Sequence, residues 1–184
     1  MFPGIAEVRA WGMPEAAVAH LFCDASGSPP HIAAVLHVDG QCFWTHMPIQ
    51  EKTISILEVR NDAQIMALEL LSISLGLCTF TEKLANRKVV VHSDNKGAEG
   101  ATRKGSAKHL DHAEIVHAQW LHATVNHMYL YIKRVPTDDN IADLPSRREF
   151  TILRDRGAIE VEPALSDEFL KASTWQVLNE RWLR

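Results

Sequence analysis

The pattern of apolar and polar positions changes period several times along the chain, and each change marks an element. Between residues 17 and 46 the apolar residues come in short runs cut by turn formers. Ala17–Cys23 reads as a strand that ends at Asp24-Ala25-Ser26-Gly27, and Ser28-Pro29-Pro30 forces a turn after it. His31–Val38 and Gln41–His46 read as two more strands joined by Asp39-Gly40, a strong two-residue hairpin signal. These runs predict an antiparallel three-stranded meander.

The period then becomes helical. From an N-cap at Asn61 or Asp62 to about Phe80 the chain is apolar on nearly every side, which predicts a helix buried against a sheet. Glu69 is the only charge between Asp62 and Glu82, on one stripe with Ile65, Ser72, Ile73 and Gly76. Small residues at 72 and 76 let that stripe lie close to the sheet. Lys88–Asn95 follows, with Val89-Val90-Val91 reading as a central strand buried on both faces and Ser93-Asp94-Asn95 as its polar end. Lys96–Lys104 is a short helix or turn broken at Gly105-Ser106, and a helical pattern runs from Ala107 to Val125 and stops at Asn126. Met128–Ile132 is a fifth strand, and the loop Pro136–Asn140 leads to a last helix with Asp143 at its start. A short helix to Asp155, a stop at Gly157, an extended Ile159–Val161 and a helix Ser166–Arg184 complete the expectation. The domain is expected over 17–150, after a lead-in over 1–16 and before a helical appendage over 151–184.

Composition narrows the class. With 46% hydrophobic residues in 184, the chain can fill a core, and no run reaches the roughly 18–20 apolar residues of a membrane span. Glu7, Arg9 and Glu15 interrupt the N-terminal stretch, so no signal peptide is expected. Cys23, Cys42 and Cys78 form no CxxC pair and read as reduced thiols of an intracellular protein. The net charge of −4 is unfavourable for a nucleic-acid binder as a whole. Cations nevertheless crowd into Lys83–Lys108 and into Arg147–Arg156, as either solvated faces or phosphate-tracking surfaces.

Asp24, Glu69, Asp94 and Asp143 come from four separate elements that can converge. An open α/β sheet places its functional groups just beyond the carboxyl ends of its strands, where Asp24 and Asp94 are expected. Clustered carboxylates raise one another's cost of ionisation and call for a cation. An all-oxygen donor set favours Mg²⁺ or Mn²⁺ over zinc, and two such ions about 4 Å apart support in-line displacement at phosphorus. His109, His112, His117, His122 and His127 do not align on one helical face, so no zinc site is expected there. The tryptophans and Tyr129 and Tyr131 are expected in the core rather than as base-stacking platforms.

Asp24-Ala25-Ser26, Leu68-Glu69-Leu70-Leu71, Ser93-Asp94-Asn95 and Asn140-Ile141-Ala142-Asp143-Leu144-Pro145-Ser146-Arg147 occur in an order and at intervals that resemble the ribonuclease H family. The resemblance covers roughly residues 18–150 and is strongest to the RNase H domains attached to retroelement reverse transcriptases. It implies an α/β fold with a five-stranded mixed sheet and helices on both faces. It implies Asp24, Glu69, Asp94 and Asp143 as ligands of two Mg²⁺ or Mn²⁺ ions, and cleavage of the RNA strand of RNA–DNA hybrids. An upstream polymerase domain is a further implied partner. Around that site Ser26, Asn95, Lys96, Arg103, Lys104 and Lys108 are candidates for contact with nucleic acid. Two features of many relatives are absent, a histidine in the loop Lys133–Thr137 and a helix-loop basic handle between Lys104 and Leu110. The competing readings are a non-catalytic nucleic-acid or polymerase-binding module and a resolvase- or transposase-like DNA nuclease.

Overall fold

In a computed structural model, which describes residues 18–165 apart from 56, 58, 62 and 63, the strands are β1 (Ala19–Gly27), β2 (Pro30–Val38), β3 (Gln41–Pro48), β4 (Lys88–Ser93), β5 (Tyr129–Arg134) and β6 (Ile159–Glu160). They form one sheet in the order β5-β4-β1-β2-β3-β6. β1, β2 and β3 make the expected antiparallel meander, whose Asp39-Gly40 turn has φ of 50° and 74°. Both angles are positive, as a type I′ hairpin turn requires and as Gly and Asp tolerate. β4 pairs parallel with β1 and β5 parallel with β4.

The helices are α1 (Glu51–Ile54), α2 (Ile65–Thr79), α3 (Thr81–Leu84), α4 (Lys96–Lys104), α5 (Leu110–Val125), α6 (Asp143–Ser146) and α7 (Thr151–Asp155). α2 is buried from Ala67 to Leu77, as its all-round apolar sequence demands. On one side it packs Ile73 and Leu77 against Leu21, Ala34, Leu36, Val89 and Val91 of the sheet. On the other, Leu68, Leu71 and Leu75 meet Ala98 of α4 and Ile115 and Val116 of α5. The opposite face of the sheet is covered by the C-terminal segment, with Val35 and Trp44 packed on Ala142 and Leu153. Helices therefore lie on both faces. A buried polar bridge fixes α4 and α5 to α2: Gln119 donates to the Leu70 carbonyl at 2.7 Å and accepts from Thr102 at 3.2 Å.

Four expectations need correction. The sheet has six strands, because Ile159-Glu160 pairs parallel with Phe43-Trp44 and the Val161 amide donates to the Trp44 carbonyl at 2.8 Å. An extended pair of residues carries too little pattern to show its partner. α2 begins at Ile65 with Gln64 in the left-handed region at φ 58° and no side-chain cap, so Asn61 is not its N-cap and Asp62 lies outside the described residues. Tyr129 and Tyr131 are 46% and 59% exposed, because β5 is an edge strand whose outer face α7 does not reach. Val90 is likewise only half-buried, unlike Val89 and Val91. The lead-in over 1–16 and the helix Ser166–Arg184 lie outside the described residues.

Gly76 sets how closely α2 approaches the sheet. A Cβ there would lie 2.9 Å from Leu21 Cδ1 and 3.0 Å from Ala34 Cβ, inside any normal contact distance. Both neighbours are fully buried. Gly76→Val is expected to lower stability by about 2 kcal/mol or more, overpacking outweighing the few tenths gained in helix propensity. A urea-unfolding midpoint unchanged from wild type would refute the close approach.

Candidate metal centre

β1 stays hydrogen-bonded to β2 as far as Gly27 but pairs with β4 only through Phe22. The two strands part just before Asp24, and Asp94 follows the last residue of β4. Both carboxylates thus stand at the gap between parallel strands, the place where open α/β sheets bind ligands. Glu69 reaches the same gap from the middle of α2, brought down by the close approach at Gly76. One carboxylate oxygen from each of Asp24, Glu69 and Asp94 falls within 4.8 Å of the other two. No other group of three metal-competent side chains occurs among the described residues.

Burial makes this cluster costly. Asp24 and Glu69 are 4% and 5% exposed. Desolvation, with repulsion from Asp94 and Asp143, pushes the Asp24 carboxyl up to about 7, although a hydrogen bond from Ser146 opposes the rise. Desolvation, followed by repulsion from Asp24 and Asp94, pushes Glu69 up to about 9. The Ala25 backbone donates to Glu69, yet Glu69 Oε2 is buried with no hydrogen-bond partner among the described residues. A buried carboxylate oxygen left without a donor calls for a proton or a cation. The donors are all carboxylates, which suits Mg²⁺ or Mn²⁺, and the residues present fit such an ion.

Asp143 borders the same cavity of about 520 Å³, which Ser26, Gly27, Ser28, Thr137 and Arg147 also line. Its carboxylate is not one of the converging three. It accepts instead from Arg147 Nε at 2.7 Å, four residues along the chain. Ser26 thus stands at the centre, but Asn95 does so only in part. The Asn95 Oδ1 accepts from the Gly97 and Ala98 amides and caps α4. Lys96, Lys104 and Lys108 are exposed on α4 and the loop after it and are not among the residues lining the cavity. Arg103 pairs with Glu99 at 3.4 Å.

Two residues of the centre carried no role in the sequence reading. Asn140 is buried, and its amide donates to the Cys23 carbonyl at 3.0 Å and reaches Asp24 Oδ1 and Asp94 Oδ1 at 3.4 Å each. The Ser146 hydroxyl donates to Asp24 Oδ2 and also to the Asp143 carbonyl at 2.9 Å. Placed three residues to either side of Asp143, they tie its turn to Asp24 from both ends. The Asn-x-x-Asp-x-x-Ser spacing was the available signal. The histidines instead pair with one another, His20 with His92 and His31 with His46, and burial lowers His31 and His92 to about 4, leaving both neutral.

The fold is similar to that of the N-terminal RNase H domain of rv2228c from Mycobacterium tuberculosis, solved fused to maltose-binding protein. The likeness covers 78% of this chain and 100% of that one at 15% identity, with a TM-score of 0.51. RNase H1 of the halophilic archaeon Halobacterium salinarum matches at 13% identity over 73% of this chain and 97% of its own, with a TM-score of 0.46. LC11-RNase H1, isolated from compost by a metagenomic approach, matches at 16% identity over 68% and 89%, also with a TM-score of 0.46. No family model matches the sequence, and no curated protein matches it. The likeness is one of fold.

The shifted carboxyls make metal-free stability depend on pH. Both folded values lie above the ordinary 3.8 and 4.5, so the folded chain holds protons there that the unfolded chain releases. His31 and His92, lowered to about 4 from 6.5, act in the opposite sense at lower pH, which leaves the carboxyls to set the trend between about pH 7 and 9. Stability in chelator is therefore expected to fall as pH rises through that window, and excess Mn²⁺ to restore most at its alkaline end. Urea midpoints at pH 7, 8 and 9 test this. Asp24→Asn/Glu69→Gln should abolish the trend, and a wild type that gains stability toward pH 9 in chelator would contradict it.

Proposed function

We propose that this chain is a divalent-metal-dependent endonuclease that hydrolyses the RNA strand of RNA–DNA hybrids and leaves 5′-phosphate and 3′-hydroxyl ends. Its strongest support is the convergence of Asp24, Glu69 and Asp94 within 4.8 Å at the parting of β1 and β4, with the Glu69 Oε2 atom unpartnered among the described residues. These three and Asp143 would hold two Mg²⁺ or Mn²⁺ ions, which supply an activated water and charge stabilisation at the leaving oxygen. A module that only bound nucleic acid would have no use for carboxylates that destabilise each other.

The protein's own part is to hold the acids and the substrate. Asn140 and Ser146 fix the two oxygens of Asp24 with neutral donors, leaving its charge for the cation. The chain at Ser26-Gly27-Ser28 forms one wall of the cavity, so its backbone and the Ser26 hydroxyl can meet the sugar-phosphate chain at short range. Asn95 keeps its amide nitrogen after its oxygen has capped α4, and that donor can read a 2′-hydroxyl, the group that tells RNA from DNA. Lys96, Lys104 and Lys108 supply cations along the outgoing duplex; Arg103, paired with Glu99, contributes less. The Asn140–Arg147 motif supports an origin in a retroelement reverse transcriptase, whose polymerase domain would then be the natural partner.

Labelled RNA–DNA hybrid, double-stranded RNA and double-stranded DNA, each with Mg²⁺, Mn²⁺ or chelator, test the proposal. Cutting is expected only of the RNA in the hybrid and only with metal. Efficient cutting of double-stranded DNA would favour a resolvase-like nuclease. Asp94→Asn is expected to reduce cleavage by more than the roughly 10–100-fold that loss of an outer-shell partner costs, without lowering metal-free stability. Near wild-type turnover in that variant would refute the metal assignment.

A further inference from the structure

Arg147 is the one cation among the described residues lining the cavity. Its Nε donates to Asp143 Oδ1 at 2.7 Å, and its terminal amino groups make no hydrogen bond among the described residues. The two side chains are unequally placed, Arg147 59% exposed and Asp143 28%. The guanidinium thus lies on the rim, reaching inward only through Nε, and its charge also acts on Asp24.

We propose that Arg147 is a phosphate-binding residue that Asp143 holds until a metal ion takes that carboxylate over. The inference rests on the reading of Asp143 as a metal ligand. With the guanidinium 2.7 Å from Asp143 Oδ1, a metal ion that takes this carboxylate meets a second positive charge on it, so the two cations repel and compete for the same group. The guanidinium side of the pair faces solvent, which screens the attraction and leaves it weak enough to be displaced. Once released, the guanidinium remains tethered beside the cavity by the turn that ends α6, where the Arg147 amide donates to the Asp143 and Leu144 carbonyls. The anion that arrives there with the metal is a phosphodiester of the substrate strand, and the planar fork of Arg matches two phosphate oxygens. The same side chain then offsets the acids' repulsion before the metal binds and grips the strand afterwards.

The two roles predict effects of opposite sign. In calorimetric titration of the full chain with Mn²⁺, without nucleic acid, Arg147→Gln is expected to bind metal at least about threefold more tightly, because the competing cation is gone. With RNA–DNA hybrid, the same variant is expected to show a several-fold higher KM at nearly unchanged kcat. The log–log salt dependence of its kcat/KM should flatten by roughly 0.7–0.9, the share of one phosphate contact. Arg147→Lys, which keeps the charge, should retain the salt slope. Unchanged or weaker Mn²⁺ affinity in Arg147→Gln would overturn the inference while leaving the metal centre standing. A wild type that binds no Mn²⁺ would overturn both. Tighter metal binding with an unchanged KM and salt slope would reject the phosphate role.

Discussion

Three carboxylates brought within 4.8 Å of each other, two of them almost wholly buried, are a repulsion that the rest of the fold has to hold in place. Left to themselves such groups take up protons or move apart. They cannot move apart here because each is fixed by a different part of the core. Asp24 belongs to a strand hydrogen-bonded on both sides almost to its own position, and Glu69 to a helix buried from Ala67 to Leu77. The contact at Gly76, where even a methyl group would collide with Leu21 and Ala34, keeps that helix from lifting. What is left is protonation, and the raised carboxyls of Asp24 and Glu69 record it.

The choice of neighbours follows from the same constraint. A lysine placed among the acids would neutralise the cluster permanently and weaken its hold on a cation. The inner partners are instead an amide and a hydroxyl, Asn140 and Ser146, which orient Asp24 without cancelling its charge. Among the described residues lining the cavity, full positive charge appears at the rim, in Arg147. The Asp143 turn therefore supplies a fourth acid, two neutral anchors and one rim cation within eight residues, Asn140 to Arg147.

Much of this was legible before the structure, for reasons that can be named. The Asp39-Gly40 hairpin and the all-apolar helix around Glu69 were clear because turn chemistry and burial leave local marks. Glu69 stood out because one charge in such a helix has no bland explanation on its buried side. Other features left no local mark. β6 exists because two residues find the free edge of β3, which only the assembled sheet offers. The exposure of Tyr129 and Tyr131 depends on β5 being an edge strand. Gln64 starts α2 from a left-handed conformation that no capping signal announces. Asn140 and Ser146 were visible as part of a motif, but their hydrogen bonds to Asp24 span more than a hundred residues of chain.

The sixth strand bears on the centre as well. Glu160 Oε1 lies 3.4 Å from His46 Nε2, and His46 bonds His31 at 2.9 Å, forming a chain that runs from β6 across β3 to β2. His31 stands opposite Ser26 in the register of β1 and β2, two residues along from Asp24. Between them Trp44, His46 and Phe150 stack, and Phe150 follows directly on the turn that carries Asp143 and Arg147. The segment after residue 150 thus braces the sheet face on which the Asp143 turn rests. The Val161 amide closes the sheet on Trp44, so the packing beneath the Asp143 turn runs on through residues 150–161.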